Sequence, residues 1–219
     1  QYSFYLHSDD RTDIAAMATI STISQPLRGE FIRTAATAGA VVYQVDARLP
    51  ALIPVFFAGQ LSAVRLCAVM ALVSGTWSSL TGLPDEPENG EAALPVSPET
   101  EYQRRRYTLT LQNGRSGERV ESVLTEASSR LRGDLLRNLI ITGLALHTTA
   151  PELPRLLASM PVPPTSVSEL QALVQQMAGT ADVNRAAAAV PDTPAASAAP
   201  VSGADTREIK KNMRRAFGD

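Results

Sequence analysis

An apolar repeat of 3.6 residues runs through the longest stretch free of breakers and commits it to helix. Between Glu118 and Leu146, the side chains of Val120, Val123, Leu124, Ala127, Leu131, Leu135, Leu139 and Thr142 fall on one helical face, which is the spacing of a helix that lays one stripe on a core. Shorter stretches at 13–24, 27–40, 62–74 and 166–178 read the same way. Asp9, Asp10 or Thr12 caps the first, Ser62 the third, and a Ser166/Glu169 capping box the last. Gly39, Gly75 and Gly179 serve as stops. A further short helix is expected around Glu152 to Ser159, between prolines.

The remaining segments read differently. Val41 to Val45 is β-branched and aromatic, a short strand or extended crossing. Arg48 to Gln60 carries Pro50 and Pro54 among large apolar residues and is expected to be buried but irregular. Leu83 to Glu101 is acidic, proline-containing and free of basic residues, a solvated loop. In Tyr102 to Gln112, Tyr107, Leu109 and Leu111 alternate with Arg106, Thr108 and Thr110, a strand pattern that ends at the turn signal Asn113-Gly114. No internal repeat is apparent. The predicted fold is mainly α, a helical bundle with at most a small sheet and extended terminal arms. Its expected parts are a core at 1–180, an Ala/Pro/Ser-rich linker at 181–205 and a basic amphipathic arm at 206–219.

Composition narrows function more than it defines it. One cysteine, Cys67, excludes an intramolecular disulfide and a cysteine-built metal site, and reads as a buried, inert thiol. His7 and His147 leave little for acid–base chemistry, and His147 is placed to cap a helix C-terminus. None of the nucleotide-loop, zinc-protease or nucleophile-elbow motifs is present. The expectation is therefore no enzyme, no cofactor and no metal. The N-terminal residues have no apolar signal core, and Pro50, Pro54, Gln60 and Arg65 interrupt the most apolar run, so no membrane contact is expected.

Arginine is the informative residue, at eighteen against two lysines. Arg104, Arg105, Arg106, Arg115, Arg119, Arg130, Arg132 and Arg137 crowd into one stretch, where guanidinium forks suit phosphate and stacking on bases. A solvated, salt-bridged face is the plain alternative. In the arm, Ile209, Met213 and Phe217 form one narrow apolar stripe that needs a groove, and the twenty-residue tether from Ala186 to Asp205 lets it reach an adjacent subunit.

The order of a helix pair, a Pro/Phe-rich crossing (Leu49-Pro-Ala-Leu-Ile-Pro-Val-Phe-Phe), a helix ending in Trp77, an acidic loop, an arginine strand and a long helix resembles coat proteins of rod-shaped or filamentous positive-strand RNA viruses, the virga- and benyvirus groups. The tail composition resembles the proline-alanine-serine-rich RNA-coating proteins of polymycoviruses. That resemblance implies a capsid subunit that assembles helically with itself around single-stranded RNA, in the virion and the host cytoplasm. It makes Arg104, Arg105, Arg106, Arg130, Arg132 and Arg137 the RNA contacts. The alternative is a non-enzymatic helical adaptor or scaffold with a docking tail.

Overall fold

The computed structural model describes residues 1–76 and 104–188. The acidic loop, Trp77, Tyr102 and the arm residues Ile209, Met213 and Phe217 lie outside the described residues. The chain divides into two units, Gln1–Asp182 and Val183–Asp219, and the fold below is that of the first.

Strand β1 (Tyr2–His7) leads into helices α1 (Arg11–Ser21), α2 (Arg28–Val45), α3 (Leu49–Phe56) and α4 (Ala63–Ser74). Strand β2 (Arg104–Leu109) then leads into α5 (Arg115–Glu126), α6 (Arg132–Thr149), α7 (Leu153–Ser159) and α8 (Val167–Ala188). The mainly α expectation holds, with one two-stranded sheet among the described residues. Among them no helix is long and apolar enough to cross a membrane.

The element order repeats, and so do the residues. Leu27-Arg28-Gly29 recurs as Leu131-Arg132-Gly133, Leu49-Pro50 as Leu153-Pro154, Ser62 as Ser166, and Gly75-Thr76 as Gly179-Thr180, each 104 residues later without a gap. Local hydrogen bonds repeat at the same offset. The Arg28 Nε donates to the Ile23 carbonyl at 2.8 Å, and the Arg132 Nε to the Ala127 carbonyl at 3.2 Å. The hydroxyls of Thr12 and Ser116 donate to the carbonyls of Pro54 and Ala158 at 3.1 and 3.3 Å. Ser62 and Ser166 each cap their helix, accepting from the N–H three residues on. The expectation of no internal repeat is therefore wrong. This unit of the chain is a strand followed by four helices, built twice.

The two copies pack as a pseudo-twofold pair. Strands β1 and β2 run antiparallel, with Phe4 opposite Tyr107 and Tyr5 opposite Arg106. Helices α2 and α6 cross at the centre, where Gly39 lies on the backbone of Leu139 and Gly143 on that of Ala35. Leu139 is Ala35 moved on by 104, so the same contact is made twice, once from each side. A Cβ on either glycine would fall well inside van der Waals contact, so only glycine lets the two helix backbones meet this closely. Around the crossing Val41, Val42, Ile140, Ile141, Leu144 and Leu146 are fully buried.

Several expected elements change form. Val41 to Val45 is the last turn of α2, because burial against α6 outweighs β propensity. Arg48 to Gln60 contains a short helix, α3, with Pro50 in its first turn, where a missing N–H costs no hydrogen bond, and Pro54 near its end. The long helix at 118–146 is two helices, since residues 127–131 break it and the Arg132 guanidinium takes the Ala127 carbonyl at the end of α5. Helix α4 stops at Gly75, whose φ of 70° is left-handed, but α8 runs on through Gly179 to Ala188. Strand β1 carries no sequence expectation and appears through its pairing with β2.

Candidate nucleic-acid interface

Alternation on the ribbon separates a core face from a solvent face. Phe4, Leu6 and Leu109 turn inward and are buried, and Tyr107 stacks on Phe4 with ring centroids 5.2 Å apart. On the opposite face stand Ser3, Tyr5 and His7 from β1 and Arg104, Arg106 and Thr108 from β2, directly opposed in the ladder. The Arg104 guanidinium lies 3.7 Å over the Tyr5 ring, and Arg106 donates to the Ser3 hydroxyl at 3.0 and 3.3 Å. These contacts hold both forks on the outer surface while leaving guanidinium donors free for a ligand.

The first turns of α2 and α6 border the ribbon. Gly133 of α6 sits against the backbone of Ser3. The Arg132 charge reaches the phenol of Tyr2 at one end of β1, and the Arg28 charge reaches that of Tyr107 on β2. The site thus has a polar, cationic ribbon face with a helix start and an arginine on either flank.

The six arginines singled out from sequence separate in space. Arg104 and Arg106 share the outer ribbon face. Arg105 has the opposite parity and is exposed, its guanidinium 5.4 Å from the Tyr107 ring. Arg130 is exposed in the α5–α6 connection, and Arg132 is half-buried at the start of α6. Arg137 is elsewhere, on the core side of α6. It holds Asp13 at 2.6 Å and Asp10 at 3.3 Å, and Asp13 is only 1% exposed. Burial raises the Asp13 carboxyl above its ordinary value, against the pull of the His7 N–H and of Arg137. Sequence reasoning missed Ser3, Tyr5 and His7. Their signal was the alternation Phe4, Leu6 against Tyr5, His7 at the N-terminus.

Other candidates have local roles. The His147 ring lies edge-on to Phe31 and 3.2 Å from the Pro151 carbonyl. Cys67 is half-buried, and burial pushes its thiol up. Among the described residues no cluster of His, Cys, Asp and Glu can hold a metal.

A family model described as plasmid stability protein matches residues 1–70 and 105–174. The two segments have equal length and start 104 residues apart, the same interval as the structural repeat, and together they cover more than half of the chain. The chain belongs to the plasmid stability protein family. No curated protein and no solved structure matches it. Membership of the plasmid stability family overturns the coat-protein resemblance, and with it the helical capsid, the virion and the host cytoplasm as location. The adaptor alternative gains no support from it. A helix-rich layout is shared by many unrelated folds, so element order without a diagnostic motif misled.

Proposed function

We propose that this protein serves plasmid stability by binding duplex DNA, with the β1–β2 ribbon inserted in the major groove. The observation that carries the reading is the outer ribbon face, where Ser3, Tyr5, His7, Arg104, Arg106 and Thr108 present hydrogen-bonding groups over an underside anchored by the buried Phe4, Leu6 and Leu109. A two-stranded ribbon with strands about 5 Å apart fits a groove about 12 Å wide. Guanidinium forks on such a ribbon match the O6/N7 edge of guanine, and small hydroxyls match several base edges. The starts of α2 and α6, with Arg28 and Arg132, are placed to meet phosphate on the two flanks. Arg130 adds a third phosphate-directed charge.

Single-stranded RNA, the partner expected from the arginine run, needs open aromatic faces for bases to stack on. In the ribbon the Tyr5 ring is covered by Arg104 and the Tyr107 ring faces inward on Phe4. Those contacts favour the duplex.

The test is fluorescence anisotropy with labelled duplex fragments tiling a stability region of a plasmid, competed with single-stranded RNA of equal length. One fragment should bind preferentially, and RNA should compete poorly. Arg106→Ala should remove about 1–3 kcal/mol of discrimination for that fragment, whereas Arg130→Ala should weaken all duplexes alike and reduce the salt slope by about 1. Preferential binding of the RNA, or equal affinity for every duplex in both variants, would reject groove reading.

A further inference from the structure

Resting on the groove-reading proposal, we infer that the DNA site is a single-orientation, non-palindromic element filled by one chain. Readers built from two identical subunits meet palindromic sites, because the symmetry of the DNA mirrors that of the protein. Here both halves of the reader come from one polypeptide, and the halves of the ribbon have diverged.

The position of the pseudo-dyad makes the divergence explicit. Each strand carries an inward aromatic followed two residues later by an inward leucine, Phe4 and Leu6 in β1, Tyr107 and Leu109 in β2. The strands repeat at an interval of 103, because the connection from Leu109 to α5 is one residue longer than that from Leu6 to α1. Phe4 and Tyr107 are then counterparts and face each other in the ladder, so the axis passes between them. A second crossing lies at the other end of the unit, where the Gln171 amide donates to the carbonyl of its own counterpart, Cys67, at 2.9 Å. On one side of the ribbon crossing stand the opposed pairs Tyr5–Arg106 and His7–Arg104, and on the other side Ser3–Thr108. Both outward guanidiniums therefore spring from the same side of the axis. The core contacts through Gly39 and Gly143 keep their symmetry, while the reading face has lost it. A face whose two outward arginines both spring from one side of the axis, with the Arg106 fork reaching across to the Ser3 hydroxyl, cannot present matching donors to two identical half-sites.

The side with Arg104 and Arg106 is expected to select guanine, and the side with Thr108 to contribute a weaker, hydroxyl-based preference. One bound chain then has a defined direction along the duplex.

The test is selection by the full-length chain from a duplex library with about 20 randomised base pairs, which spans two half-sites one helical turn apart, followed by stoichiometry on the winning sequence. The expected consensus lacks dyad symmetry, holds guanines in one half, and binds one chain. The double variant Arg104→Ala/Arg106→Ala should lose about tenfold or more in preference in the guanine half only, while Thr108→Ala should relax the other half only. A palindromic consensus, two chains per site, or variants that relax both halves equally would overturn the inference while leaving groove reading intact. Failure to enrich any duplex would remove groove reading and this inference together.

Discussion

The two halves of the molecule share a backbone plan and many local contacts, and differ at several positions that face something other than each other. At their mutual contact they remain matched, with Gly39 against Leu139 and Gly143 against Ala35. Away from it they part. The equivalent arginines, Arg33 and Arg137, have different partners: Arg33 holds Glu30 at the surface, and Arg137 holds Asp13 in the interior. The position equivalent to Asp13 is Gly117, so the second half has no such carboxylate. A close interface constrains both partners of a duplicated pair at once, because either change alone opens a clash. Surfaces that face solvent or ligand carry no such mutual constraint and drift apart.

The most severe challenge to this equivalence is a methyl group at the crossing. Gly39→Ala and Gly143→Ala should each destabilise by about 3 kcal/mol, since backbone and not a flexible side chain stands in the way. Urea denaturation gives both values, and a cost confined to one of them would break the pseudo-twofold description. The arginine pair tests the difference instead. Asp13→Ala should cost about 3 kcal/mol by stripping Arg137 and the His7 N–H of a buried acceptor, while Arg33→Ala should cost about 0.5 kcal/mol or less.

The acid limb sharpens the same contrast. Because burial holds the Asp13 proton more firmly in the folded chain than in the unfolded one, stability from this group falls as pH rises from its ordinary value of 3.8 through the raised folded value. Asp13→Asn should flatten that part of the stability profile, and an unchanged slope would mean that the carboxyl is not the group titrating. The smallest effect is expected at the start of α8. The Glu169 carboxylate accepts the Thr165 N–H at 2.7 Å, which lowers its pKa below 4.5. Its contribution is present above that value and fades as pH falls through the folded one. The protection of the Thr165 amide relative to intrinsic exchange should therefore fall in acid, and Glu169→Ala should remove that fall. Its counterpart in the first half, Arg65, has no carboxylate to titrate.

Much of the helical framework was legible because its signals are local. Ser62 caps α4, Asp10 caps α1 through the Asp13 N–H, and β2 falls inside the alternating stretch at 102–112. The Ser166/Glu169 pair also forms, although the shortest bond of the glutamate reaches one residue further back, to the Thr165 N–H. Of the candidate site, the outward Arg104 and Arg106 were visible as residues, but their partners on β1 were not. A strand of six residues has no identity until another strand pairs with it.

By itself, then, the sequence determined the mainly α class, most helix starts and the excess of guanidinium groups, since period, caps and charge are carried by residues within a few positions of one another. Only the tertiary structure decided that Val41 to Val45 is helical, that the stripe at 118–146 is broken at 127–131, and that two diverged copies share one core. The first and last of those outcomes depend on contacts between residues about a hundred positions apart, such as Phe4 with Tyr107 and Gly39 with Leu139, and a linear reading holds no energy term for them. The sorting of the arginines follows for the same reason. Arg106 and Arg137 look alike along the chain, and it is the pairing of β1 with β2 and the buried carboxylate of Asp13 that send one to the outer face and the other into the core.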